Sequence, residues 1–229
     1  MKNIKVIAFD ADDTLWVNEP YFQETEEKFC QMLQDYLPQH SVSQELFKTE
    51  IANLTLYGYG VKGYMLSMIE TILNISGGTA NLQLIRKAID LGQELLQKPI
   101  ELLPGVHETL TALKTNYRLV VATKGDLLDQ ERKLKKSGLE SYFHHIEIMS
   151  DKKAADYKKL LKHLDCAPEN FLMVGNSIKS DVLPVLELNG YAAHIPYHVT
   201  WMHEHYEHTL EHANFLELSK ITEVLDYLS

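Results

Sequence analysis

A chain of 229 residues, 45% hydrophobic and 24% charged, is long enough to bury a sizeable core and fits one large domain or a domain with an insert. Its formal net charge of -10 disfavours broad binding to nucleic acid or anionic lipid, so a phosphorylated partner has to be small and met by local positive charge. No apolar run approaches the ~18 residues of a membrane span, Met1-Lys2-Asn3 runs into Ile4 to Phe9 without a signal-peptide pattern, and two cysteines without metal or redox spacing, Cys30 and Cys166, point to a reducing cytoplasm.

Ile4 to Phe9 is a continuous apolar run containing β-branched residues, which predicts a strand buried on both faces. From Pro20 to about Gln97 the period becomes helical, carried by Phe22, Phe29, Leu33 and Tyr36-Leu37, then Ile69, Ile72 and Leu73, then Ile85, Ala88, Ile89, Leu95 and Leu96. Asn18 and Thr79 are the expected N-caps and Gly77-Gly78 a break. Residues 18–98 therefore read as an all-helical insert. Asn53 and Asn74 match a glycosylation pattern that is taken as chance.

Beyond Leu103-Pro104-Gly105 helices and strands alternate. A helix near 105–115 precedes a strand from Arg118 to Ala122, and a helix near 127–137 precedes a strand from Ile146 to Met149. A helix near 155–164, a strand from Phe171 to Val174, a helix near 179–188 and a last strand from Tyr191 to Ile195 follow. This alternation predicts an α/β fold, a Rossmann-like doubly wound parallel sheet formed by residues 1–17 and 99–229.

In such sheets ligands sit at the carboxyl ends of the strands. The residues there are Asp10-Ala11-Asp12-Asp13-Thr14, Thr123-Lys124-Gly125-Asp126, Asp151-Lys152-Lys153 and Gly175-Asn176-Ser177, with Asp181 a turn and a half further on. Asp10 can attack phosphorus while its other oxygen holds a metal. Asp12 can protonate a leaving alkoxide and then activate water. Two carboxylates beside a phosphate need a divalent cation, and oxygen ligands suit Mg2+. The Thr123 hydroxyl, the Lys124 backbone N–H and neighbouring Gly125 suit a phosphoryl group. Lys152 or Lys153 can neutralise charge between nucleophile and transferring group. Asn176 and Asp181 complete a metal site, directly or through water.

FDADDTL, VVATKG, Lys152 and GNSIKSD, in that order and each at a strand end, resemble the four motifs of the haloacid dehalogenase superfamily across residues 1–15 and 100–195. The resemblance implies a Rossmann-like core, a mobile helical cap, Mg2+ and a phosphatase working through an aspartyl-phosphate. It also implies metal ligation by Asp10, the backbone carbonyl of Asp12 and the fourth-motif residues. The second acid, Asp12, argues against dehalogenation. Two departures stand out: Asp13 replaces a frequent Gly, so the turn must suit a side chain, and Asn176 replaces a usual Asp, keeping an oxygen but losing a charge.

Alternative readings are a phosphomutase, a phosphonatase using one of the insert lysines, and a non-catalytic phosphate-binding protein supported by Asn176 alone. The insert follows no readable code, so sugar phosphates, nucleotides and flavin phosphate all fit a small phosphorylated metabolite as partner. Asp126 is expected to cap the helix beginning near Leu127, and Asp13 to be structural. Histidines 198, 203, 205, 208 and 212 match no strong zinc pattern, and a solvated loop and helix is expected there.

Overall fold

A computed structural model describes residues 3–228, so the Met1-Lys2 part of the signal-peptide reading lies outside the described residues. Two compact units are present. One contains the chain through Glu19, Ile100–Lys124 and everything from Glu131 onward; the other contains Pro20–Pro99 with Gly125–Gln130.

The first unit is built on a parallel sheet. Its strands are β1 (Val6–Phe9), β2 (Arg118–Lys124), β3 (His145–Met149), β4 (Phe171–Gly175), β5 (Tyr191–His194) and β6 (Phe215–Glu217). The order across the sheet is β3-β2-β1-β4-β5-β6. The strand β1 therefore sits centrally, with Phe9 level with Val121 on one side and Val174 on the other. Strand order reverses beside β1, which is where a doubly wound sheet opens a crevice at its carboxyl edge.

Burial on both faces explains the apolar runs. Ile7, Phe9, Leu119, Val121, Leu172 and Val174 pack on one face with Val106, Leu110 and Leu113 of α5 (Val106–Leu113). Val6, Ala8, Val120, Ala122, Phe171 and Met173 pack on the other. That face is covered by Tyr157, Leu160 and Leu161 of α7 (Ala154–His163) and by Val185 and Leu186 of α8 (Leu183–Glu187). The remaining helix of the series is α6 (Leu127–Ser137).

The other unit is helical: α1 (Glu19–Met32), α2 (Gln39–Tyr57), α3 (Val61–Ile75) and α4 (Leu82–Leu96). Phe29, Leu33, Val42, Leu46, Met68, Ile72 and Ala88 form its core at the expected helical spacing. Asn53 is buried there, donating to Glu70 at 2.9 Å and to Ser67 Oγ at 3.2 Å. One of the two glycosylation matches is thus an interior hydrogen-bonding group. Gly77 and Gly78, both with positive φ, form the break between α3 and α4.

Three expectations are corrected. Asn81, not Thr79, caps α4, accepting from Leu84 N at 3.0 Å. At the start of α1 the Asp13 carboxylate, from outside the helix, accepts from the N–H groups of Asn18 (2.8 Å) and Glu19 (2.9 Å). The helix expected near 179–188 begins as a single π turn, Ile178–Val182, before α8. Pro184 has no N–H for the Ser180 carbonyl four residues back, and the Tyr157 hydroxyl donates to that carbonyl at 3.0 Å instead. Finally, the sheet does not end at β5. The three-residue β6 pairs parallel to it, Ala192 with Phe215, and is too short to show an alternation.

Candidate active site

β1 delivers Asp10 to the carboxyl edge between β2 and β4, and its backbone N–H still bonds to the Val174 carbonyl at 2.9 Å. The residue is 7% exposed. Lys152 Nζ lies 2.5 Å from Asp10 Oδ1 and 2.6 Å from Asp181 Oδ1, with its side chain 1% exposed. Lys153 instead has a side chain 78% exposed and pairs with Asp151 at 2.8 Å. The two neighbours thus face opposite environments, and only Lys152 meets Asp10.

The opposite Asp10 oxygen, Oδ2, faces the Thr14 hydroxyl at 3.4 Å, and that hydroxyl lies 3.2 Å from Asn176 Oδ1. Asp181 Oδ2 accepts from Ser177 N at 3.0 Å. Gly175 makes room for this arrangement, since a Cβ there would stand 2.2 Å from Asp181 Oδ2. Asp10, Lys152, Asn176 and Asp181 are therefore gathered, with Thr14 as an additional link. Thr123, at the end of β2, is 2% exposed, and its hydroxyl lies 3.3 Å from the Lys124 carbonyl.

Burial raises the Asp10 carboxyl to about 7, with Lys152 pulling it down and Asp181 adding to the rise. Burial alone would lower the Lys152 ammonium, but Asp10 and Asp181 hold it above its usual value. One lysine between two buried carboxylates leaves a charge deficit that a hard cation would fill. The donors at hand are Asp10, Asp181 and the Asn176 amide oxygen, all oxygens, which suits Mg2+ better than a soft metal. Among the described residues no group of three His, Cys, Asp or Glu side chains gathers to hold a metal ion.

Asp12 turns elsewhere. Its Oδ1 accepts from Trp16 Nε1 at 2.7 Å and from Lys133 Nζ at 2.8 Å, and Lys133 also donates to Asn18 Oδ1 at 2.7 Å. Its negative charge nonetheless adds to the rise of the Asp10 carboxyl. Asp13 has φ +60 and its carboxyl, buried, rises to about 7. It occupies the left-handed conformation that Asp tolerates better than most residues, and it serves as the structural turn residue expected.

The Lys124 side chain points to Ser180 Oγ (2.8 Å) and to the carboxylate of Glu204 (2.5 Å). Gly125 falls in the helical unit and has φ +136. Asp126 accepts from Asp129 N at 3.1 Å, capping α6. Glu204 also accepts from Ser177 and Ser180. Burial on its own would raise this acid, but Lys124 and the hydroxyls bring it down to about 2. The segment around it holds one short 3-10 turn, Met202–Glu204, rather than the expected helix. Of its histidines, His198 lies against the ring of Tyr197 and His203 against that of Trp201.

Trp16, Lys133 and Glu204 were not singled out by sequence. Lys133 and Glu204 lie 121 and 80 residues from their partners Asp12 and Lys124, a separation no local pattern encodes. The FDADDTLW stretch does place Trp16 four residues after Asp12, a spacing that could have been read.

A family model described as a haloacid dehalogenase-like hydrolase matches residues 4–185. The chain is similar to a haloacid dehalogenase-like family hydrolase from Xanthomonas campestris, with 35% identity, a TM-score of 0.87, and coverage of 97% of this chain and 89% of that one. It shares its fold with the putative hydrolase YfnB from Bacillus subtilis, solved bound to magnesium, at 16% identity and a TM-score of 0.67, covering 99% of each chain. The human N-acylneuraminate-9-phosphatase is 25% identical over 118 residues, 49% of this chain and 48% of that protein. The chain thus spans about half the length of that curated relative.

Proposed function

Because the chain belongs to the haloacid dehalogenase-like hydrolases, we propose that it is a Mg2+-dependent phosphomonoester hydrolase acting on a small phosphorylated metabolite through an aspartyl-phosphate, an acyl phosphate formed on Asp10. The observation that carries this reading is the contact of Asp10 with Lys152, itself held by Asp181, at the carboxyl edge of the central strand. A lysine there can neutralise charge on a phosphoryl oxygen while phosphorus bonds to the carboxylate.

In the first step an Asp10 oxygen bonds to phosphorus, the bond from phosphorus to the substrate oxygen breaks, and Asp12 supplies a proton to the departing alkoxide. In the second, water gives its proton to Asp12 and its oxygen to phosphorus, releasing inorganic phosphate and the free Asp10 carboxylate. Thr123 and the Lys124 N–H are assigned to phosphoryl oxygens, with Gly125 allowing close approach. Mg2+, held by Asp10, Asn176, Asp181 and the Asp12 carbonyl, would supply charge neutralisation at the transferring group. The helical insert, residues 18–98, is assigned the selection of the leaving group. Among the described residues no helix is long and apolar enough to cross a membrane, and a cytoplasmic setting is part of this proposal.

The test is release of phosphate from p-nitrophenyl phosphate with Mg2+. Wild-type turnover that is lost in Asp10→Asn supports the reading; turnover that persists in the variant excludes it.

A further inference from the structure

We infer that Glu204 is a positioning residue for the loop that carries Asn176 and Asp181. The inference rests on the functional reading above, because it concerns the ligands assigned there to Mg2+.

The loop after β4 opens into the single π turn Ile178–Val182, a rare element that often marks functional sites. One candidate ligand precedes it and the other lies within it: Asn176 comes just before Ser177, and Asp181 follows Ser180 inside the turn. Glu204 holds the serine hydroxyl next to each ligand. Ser177 Oγ donates to one Glu204 oxygen, and Ser180 Oγ lies 2.8 Å from the same oxygen. Ser177 Oγ in turn accepts from Ser180 N at 3.1 Å, closing the turn.

Lys124 completes the frame. Its ammonium lies 2.5 Å from Glu204 and 2.8 Å from Ser180 Oγ, so the carboxylate ties the loop after β4 to the end of β2. Both side chains of this ion pair are 14% exposed, where a charge pair with further hydrogen bonds resists thermal rearrangement better than a solvated one. Two more ties come from the same stretch of chain. Lys179 Nζ donates to the His203 carbonyl at 2.9 Å, and His194 Nε2 donates to the Asn176 carbonyl at 3.0 Å. The C-terminal stretch from β5 to Glu204 thus fixes the backbone of Asn176 and the turn leading to Asp181. Partners of ligands in an outer ring set metal affinity by orienting the donors.

The experiment is Mg2+ titration by calorimetry on the full chain and on Glu204→Ala, Glu204→Gln and Ser180→Ala, with kcat and KM for p-nitrophenyl phosphate measured at saturating Mg2+. The inference expects Glu204→Ala to weaken Mg2+ binding about tenfold or more, while KM at saturating Mg2+ moves by less than about twofold. Glu204→Gln, which keeps an acceptor for the serines but loses the charge facing Lys124, is expected between wild type and Ala. Ser180→Ala, the mildest change, is expected to weaken binding by a few-fold and serves if the alanine variant at 204 does not fold. Mg2+ affinities within about twofold of wild type in Glu204→Gln and Ser180→Ala overturn the inference alone. A wild-type chain that binds no Mg2+ overturns the functional reading, and the inference with it.

Discussion

The ammonium of Lys133 lies 2.8 Å from Oδ1 of Asp12 and joins Trp16 Nε1 in fixing that carboxylate. Under the proposed chemistry Asp12 transfers a proton in both steps, so its orientation matters to turnover. Asp12→Asn is expected to lower kcat about 100- to 10,000-fold. Lys133→Met, which leaves the carboxylate but removes one of its anchors, is expected to lower kcat by about tenfold or more with an intact circular-dichroism spectrum. Steady-state kinetics check both, and an unchanged kcat in Lys133→Met removes the positioning argument.

Lys152 separates two buried carboxylates, Asp10 and Asp181. Lys152→Met leaves them facing each other without a cation and is expected to destabilise the metal-free protein by about 3–5 kcal/mol, the usual cost of breaking a buried pair from one side. Added Mg2+ should restore part of that loss by binding the folded state. Lys153→Met, at a side chain 78% exposed, is expected to change stability by less than about 0.5 kcal/mol. Urea unfolding with and without Mg2+ measures all of these.

Asp10, raised to about 7 by burial, must lose its proton to hold a cation. Mg2+ affinity is therefore expected to rise as pH increases toward about 7, by up to tenfold per pH unit, and to level off above it. Calorimetric titration at several pH values in buffers of different ionisation enthalpy also reads the released proton. A flat affinity between pH 5 and pH 8 contradicts the assignment of Asp10 as a ligand.

Asp13 has a folded value of about 7 against an ordinary value of 3.8. The folded chain therefore holds its proton more tightly than the unfolded chain between these limits. Stability contributed by this group is present at low pH and lost as pH rises through that window. Asp13→Asn, which keeps one oxygen acceptor for the N–H groups of Asn18 and Glu19 and tolerates positive φ, is expected to flatten the fall of Tm between about pH 4 and pH 7. Thermal unfolding across that range checks it; an unchanged slope contradicts the burial argument.

The parallel strands were legible because buried parallel strands are short apolar runs bounded by turn residues, as in Ile4 to Phe9 and Phe171 to Val174. The gathering of Asp10, Lys152, Asn176 and Asp181 was legible for a related reason: each follows a strand, and parallel strands end on one edge. What was not legible depends on distant partners. The Asp13 carboxylate accepts from the first N–H of a helix that begins six residues later, whereas a sequence reading looks for such a partner beside the helix. Pro184 and the Tyr157 hydroxyl together convert an expected helix start into a π turn. Glu204 sits among histidines in a stretch that looks solvated, and only the fold brings Lys124, Ser177 and Ser180 to it.

The central claim is that Asp10 carries the phosphoryl group. It is tested most directly by acid-quenching the enzyme during turnover of p-nitrophenyl phosphate with Mg2+, reducing it with borohydride, and sequencing the peptides by mass spectrometry. Reduction of an aspartyl-phosphate converts the aspartate to homoserine. The account predicts homoserine at position 10 in the wild type and in no quenched sample lacking substrate. Homoserine at another position, or an unmodified Asp10 in enzyme that is releasing phosphate, would contradict it.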